Sequence, residues 1–182
     1  DAAKGRQAGR SLEIQRLIGR CLRAVLVPEA LGERTVFVDC DVLQADGGTR
    51  TAGVTGAFVA LADALEHLRR QGELAAAPGV PPGFLPLRGF LAAVSVGMVR
   101  GEPLLDLNFH EDSQAQVDLN VAGTGEGLLV EVQGTGEAAP FGREDLTRLL
   151  DLAQAGIARL VEVQRAALGD LAARIRGGPW PS

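Results

Sequence analysis

Between residues 90 and 133 the apolar residues fall in short runs at 90–99, 103–107, 117–121 and 128–133, separated by turn signals. On either side of this region they return every three or four residues instead. The change of period limits what the chain can fold into. Runs joined by Arg100-Gly101 and by the GTGEG at 123–127 are close enough to pair as hairpins in one sheet. The flanking helices then have that sheet on which to bury their apolar stripes. The expected class is α+β, a mixed β-sheet with helices packed on one face.

Three helices follow from the 3.6-residue period. In the first, over 11–25, Ile14, Leu17, Ile18, Cys21, Leu22 and Val25 form the apolar stripe, with Arg16, Arg20 and Arg23 opposite and Ser11 as N-cap. The second runs from about Arg50 to Gly72 on Val54, Ala57, Phe58, Leu61, Leu65 and Leu68. The third follows Pro140, with a stripe from Leu146 through Ile157 to Leu171. Residues 35–43 alternate in a β-branched run and predict a further strand. The Pro/Gly-rich stretch 75–86 reads as a surface loop inside a single domain spanning 1–182. A length of 182 residues with 46% hydrophobic content suits one core of ordinary size.

The net charge of −5 argues against a protein that coats nucleic acid by charge alone. Residues 1–23 nevertheless carry Lys4, Arg6, Arg10, Arg16, Arg20 and Arg23 against Asp1 and Glu13, which marks this start as the place for an anionic partner. Cys21 and Cys40 lie in apolar patterns without metal spacing and read as core thiols of a reducing compartment. No apolar run reaches membrane-spanning length, so a cytoplasmic protein without a membrane partner is expected.

Two stretches carry candidate chemistry. In DGGTR, residues 46–50, a helix begins beside two glycines. Its first-turn N–H groups and dipole attract an anion, and the Thr49 hydroxyl and Arg50 guanidinium suit phosphate oxygens. A tight turn with Thr49 as helix cap accounts for the same letters. In NFHEDSQAQVDLN, residues 108–120, Glu111, Asp112 and Asp118 are hard oxygen donors of the kind Mg²⁺ takes. On one straight strand Asp112 and Asp118 would lie roughly 20 Å apart, so they share an ion only if the chain bends between them. An exposed acidic turn is the competing reading. His67 and His110 share no metal spacing, and Asp39 and Asp41 share one strand face as an acid pair or as turn-holding groups.

The succession GRQAGRSLEIQRLIGRCLRA, DCDVLQADGGTRTAGVTGAFVALADAL, AAVSVGMVRGEPLLDLNFHEDSQAQVDLNV and VEVQGTGEAAPF resembles the phosphorolytic exoribonucleases of the ribonuclease PH family, from Lys4 to about Leu168. The resemblance implies that Gly48, Thr49, Arg50 and Arg10 bind inorganic phosphate, and that Asp112 and Asp118 serve catalysis by holding Mg²⁺ or Mn²⁺. It implies phosphate-dependent 3′→5′ trimming of tRNA ends with release of nucleoside diphosphates, reversible as nucleotide addition. It also implies a homo-oligomer, a hexameric ring of dimers. Arg16, Arg20 and Arg23 become weaker candidates for RNA contact. Gln116 stands where the family pattern has an acid, and 75–86 looks like an insertion. Family members carry a further portion before the equivalent of Asp1 that adds sheet strands, so the fold is expected here without its N-terminal strands. A catalytically silent RNA-binding ring subunit of exosome type is the alternative.

Overall fold

The computed structural model describes residues 9–177 and 180. The basic residues Lys4 and Arg6 lie outside the described part. Helix α1 (Gly9–Val25) buries Leu17, Ile18, Cys21, Leu22 and Val25, the stripe expected from the period. It starts two residues before Ser11, which is therefore a helical residue and not the cap. Helix α2 (Thr49–Arg70) follows, then strands β1 (Leu91–Val99) and β2 (Glu102–Leu105). A single helical turn, α3 (Phe109–Asp112), leads to β3 (Val117–Thr124) and β4 (Leu129–Gly136), and α4 (Arg143–Leu168) closes the order. Short 3₁₀ turns at Pro28–Leu31 and Gly169–Arg174, without a repeating apolar pattern of their own, complete it.

The sheet has the order β2-β1-β3-β4, with every neighbouring pair antiparallel. The first hairpin turns at Arg100 and Gly101, both with positive φ (55° and 83°), as a two-residue turn between twisted strands requires. The α+β sheet with packed helices is thus as expected, and two details differ. All four strands are antiparallel, because every connection between them is a hairpin or a short arch. Helices also cover both faces. Ser95 of β1 lies under the start of α2, whereas its neighbour Val94 meets Gly156 of α4, and adjacent strand residues point to opposite sides. One hydrophobic cluster runs from Leu17 to Ile175 through both layers.

Because β2 pairs only with residues 96–99, the first half of β1 has a bare edge. Side chains close it. Thr55 Oγ1 donates to the Ala93 carbonyl (3.1 Å) and accepts from its N–H (3.0 Å), and Gln164 Nε2 donates to the Leu91 carbonyl (2.8 Å) and to Thr55 O (3.0 Å). Backbone groups that would otherwise be buried unpaired are satisfied in this way.

The strand expected over 35–43 does not form. The stretch is extended, pairs with no described residue, and is exposed throughout, with Phe37 at 91% and Leu43 at 94%. Its alternation is genuine strand chemistry, but a strand exists only with a ladder neighbour, and none lies among the described residues. Cys40, expected in the core, is consequently exposed, whereas Cys21 is fully buried and its thiol is pushed up to about 12 by burial. The stretch 75–86 contains no regular element, as expected, and is tied down at Val27 N to Pro86 O and Leu85 N to Arg174 O.

On α2, Glu66 accepts from Arg69 Nε (2.6 Å) and Arg70 Nε (2.8 Å), and Arg69 first, Arg70 second, hold its carboxyl down at about 2. A depressed carboxyl contributes stability above its ordinary value of 4.5 and loses it as pH falls through about 2. Glu66→Gln is expected to cost about 1 kcal/mol at pH 7, after allowance for the solvated arginines. Urea unfolding checks this, with the difference from the parent shrinking as pH is lowered from 4.5 towards 2.

Candidate functional site

The site is built where the start of α2 meets the loop between β2 and β3. Gly48 is the N-cap of α2 with φ +68°, and no side chain caps the helix. Among the described residues the first-turn N–H groups of Thr49 and Arg50 have no side-chain acceptor, next to the positive end of a 22-residue helix. Thr49 is the first helical residue and not the cap, and Thr51 instead donates its hydroxyl to Gly48 O (2.8 Å). A Cβ on Gly48 would stand 3.3 Å from Ser95 Oγ and from Thr51 Oγ1, in a backbone conformation that favours glycine. Ser95 is buried, and its hydroxyl has no hydrogen-bond partner among the described residues.

Gly47 answers a different need. It lies against the backbone of Leu107 and Asn108, with no space for a Cβ. Asp46 reinforces the same junction, its Oδ1 accepting from Phe109 N at 2.6 Å. The turn that opens α2 and the turn that opens α3 are thus clasped together.

That clasp matters because α3 carries Asp112 and β3 carries Asp118. The helical turn and the residues after it supply the bend that a straight strand would have lacked. Asp118 is pushed up to about 6, first by burial and second by the charge of Asp112; Arg50 opposes the shift and Glu137 adds to it. The two aspartates and Arg50 are therefore within electrostatic reach of one another. Two hard carboxylates that feel each other's charge, one of them half-buried, fit the donor set that Mg²⁺ takes from a protein when substrate oxygens and water complete its shell. Among the described residues no group of three or more His, Cys, Asp or Glu is placed to hold a metal ion.

The other candidates take structural roles. Glu111 forms a capping box with Asn108: Asn108 Oδ1 accepts from Glu111 N (2.9 Å), and Glu111 Oε2 accepts from Asn108 N (3.0 Å). His110 pairs with the Gln114 side chain, and His67 is exposed on α2. Gln116 Oε1 accepts from Gly101 N (2.9 Å), which ties it to the first hairpin. Asp39 and Asp41 remain on the unpaired exposed stretch.

Helix α1 forms the other wall. Its Gly9, Leu12, Glu13, Arg16 and Arg20 line a cleft of about 400 Å³ with Gln133 of β4. Arg20 pairs with Glu131 on β4, and Arg23 is exposed one turn further on. Glu13 Oε2 accepts from Arg50 Nε at 3.1 Å, which brings this face of α1 to the start of α2. Arg10, three residues earlier and exposed, shares that face. Of the sequence candidates, Gly48, Thr49 and Arg50 share the start of α2, Asp118 feels the charges of both Arg50 and Asp112, and Arg10 stands on the α1 face that Glu13 ties to Arg50. Sequence reasoning missed Asp46 and Glu13. An acid inside an arginine stripe was the available signal for the latter. A smaller hollow of about 210 Å³, lined by Val27, Pro81, Phe84 and Arg176 among others, holds none of the site acids.

Comparison with known proteins identifies the family. Residues 1–65 match the family model described as 3′ exoribonuclease family, domain 1, and residues 89–156 match domain 2 of the same family. The chain is 58% identical over 178 residues to ribonuclease PH of Moorella thermoacetica, which covers 98% of the chain and 68% of that relative. Among solved structures it is similar to rice (Oryza sativa) Rrp46, with a TM-score of 0.62 at 18% identity over 91% of this chain and 68% of that one. It is also similar to the Archaeoglobus fulgidus exosome solved with RNA bound to the active site, with a TM-score of 0.64 at 22% identity over 88% of this chain and 64% of that one. The structural likenesses speak for the fold and the sequence identity for the lineage: the chain belongs to the 3′ exoribonuclease family, among its ribonuclease PH members.

Proposed function

We propose that the chain is a phosphate-dependent 3′→5′ exoribonuclease, a nucleotidyltransferase that trims tRNA 3′ ends and releases nucleoside diphosphates, reversibly. The observation that supports it most is the junction of an uncapped helix start, bearing Thr49 and Arg50, with the coupled pair Asp112 and Asp118. Phosphorolysis brings a phosphate anion against an anionic diester, and the barrier falls only where fixed donors offset the repulsion. The α2 N–H groups, the Thr49 hydroxyl and the guanidinium groups of Arg50 and Arg10 hold the attacking phosphate and orient one of its oxygens towards the last linkage. That oxygen forms a bond to the phosphorus of the linkage as the bond from the linkage phosphorus to the 3′ oxygen of the preceding nucleotide breaks; the last nucleotide departs as a diphosphate, and the 3′ oxygen takes up a proton to leave the chain one nucleotide shorter. Mg²⁺ or Mn²⁺ held by Asp112 and Asp118 would neutralise charge on the transferring group. Arg16 and Arg23 offer charge to the RNA backbone along the cleft wall, and Arg20 helps to fix that wall through Glu131.

The same reading takes 1–182 as one unit with 75–86 as an insertion, working in the cytoplasm within a hexameric ring of dimers. Joint retention of Arg10, Arg50, Asp112 and Asp118 favours an active subunit over a silent one of exosome type. Incubation of the purified protein with a tRNA bearing extra 3′ nucleotides and Mg²⁺ tests the reading: nucleoside diphosphate is expected only when phosphate is added. Monophosphate instead indicates hydrolysis, and absence of product favours the silent subunit. Arg50→Ala removes a charge-assisted fork worth about 2–3 kcal/mol, so the KM for phosphate is expected to rise roughly 30- to 100-fold with the fold intact. An unchanged phosphate KM takes Arg50 out of the site.

A further inference from the structure

We propose that Glu13 is a positioning residue for the phosphate-binding arginine, aiming the guanidinium of Arg50 from the neighbouring helix. The inference rests on the phosphorolytic reading of the site. Glu13 lies on the second turn of α1, where it caps nothing, and it is the one acid among the cleft-lining residues of that helix, beside Arg16 and Arg20. A carboxylate so near an anion site repels the very ligand the site is built to attract, so its presence calls for a compensating role.

The bond it makes supplies one. Glu13 Oε2 accepts from Nε of Arg50 at 3.1 Å, with both side chains only partly exposed, at 38% and 33%. A guanidinium has five N–H donors, and the Nε–H points away from the terminal fork. Engagement through Nε thus fixes the plane of the group and leaves the end-on fork, one N–H from each of Nη1 and Nη2, for two oxygens of one phosphate. Arginine is anchored on one side by the turn that begins α2 and on the other by α1, so its rotamer freedom is already restricted before the ligand arrives. Ordering cost that would otherwise fall on binding is removed. Repulsion between Glu13 and the phosphate is softened because the guanidinium stands between them.

The test compares Glu13→Ala and Glu13→Gln with the parent protein in the full tRNA phosphorolysis assay, with phosphate varied. Gln retains an acceptor for Nε, whereas Ala does not. Glu13→Ala is expected to raise the phosphate KM about tenfold with kcat changed less than threefold, and Glu13→Gln to recover most of the affinity. A second readout needs no turnover: the rise in melting temperature produced by 10 mM inorganic phosphate, expected to be reduced in Glu13→Ala and retained in Glu13→Gln. If Glu13 instead competes with phosphate for Arg50, Glu13→Ala lowers the KM, which overturns the proposal. An unchanged KM and an unchanged phosphate-induced shift overturn it equally. A parent protein that is stabilised by phosphate yet forms no diphosphate refutes the enzymatic reading and leaves the Glu13 comparison intact through the melting shifts.

Discussion

Gly47→Ala is expected to abolish at least 99% of phosphorolysis while the protein keeps its helical spectrum. The position touches no ligand in the proposed mechanism, and one methyl group is a small change. The methyl would nevertheless fall inside the van der Waals shell of the Leu107 carbonyl, with backbone on both sides of the clash. No side chain can rotate to relieve it, so the α2 turn or the chain at 107–108 must move. Overpacking of this kind costs about 1–3 kcal/mol of stability. The functional cost is larger, because the movement separates Arg50 from Asp112 and Asp118, and a displacement near 1 Å at a reacting centre costs on the order of a hundredfold in rate. Gly56→Ala in α2 is the control. A Cβ there meets nothing within 4 Å, and the exchange is expected to be neutral or to add about 0.5–1 kcal/mol. Activity of Gly47→Ala within threefold of the parent would show that the clasp does not set the site geometry.

Asp118→Asn is expected to move activity and stability in opposite directions. In the proposed mechanism Asp118 would help to hold the metal, so its loss should reduce kcat about a thousandfold at saturating phosphate and raise the half-saturating Mg²⁺ concentration. In the absence of divalent ions, however, the parent holds a half-buried carboxylate whose charge is disfavoured by burial and by Asp112. Its ordinary value of 3.8 rises to about 6, so ionisation at neutral pH weakens the fold, and that cost is absent once the pH falls below the ordinary value. The uncharged amide removes the repulsion, and the variant is expected to be about 1–2 kcal/mol more stable at pH 7.5, a rise of a few degrees in melting temperature. Chemical denaturation without metal, beside phosphorolysis with it, reads both signs. A less stable variant would mean that Asp118 is held by favourable partners and is not a strained, ligand-ready group.

Much of this arrangement was legible in the amino-acid order because helix stripes and hairpin spacings are local. Leu17, Cys21 and Val25 had to share a face, and Arg100-Gly101 had to turn. The two stretches singled out for chemistry, 46–50 and 108–120, were visible for the same reason, each being a short run of polar residues, although each straddles the junction of two elements. What could not be read depended on partners far along the chain. Residues 35–43 carry the alternation of a strand, but alternation reports only what a segment would bury and not whether a neighbour is present to pair with it. Gly47 and Gly48 were identical letters with different duties, one set by a carbonyl sixty residues away and the other by φ. Glu13 looked like a stray acid until α2 came to lie beside it.

The side chains of Thr55 and Gln164 that finish the upper half of β1 also decide where the sheet can grow. On that border the peptide groups are already spoken for, and the short β2 carries Pro103, which has no N–H to offer. The opposite border, the eight residues of β4, has no such stopper among the described residues. An incoming strand, from this polypeptide or another, would therefore meet fewer obstacles along β4, and the cleft between α1 and Gln133 lies on that side.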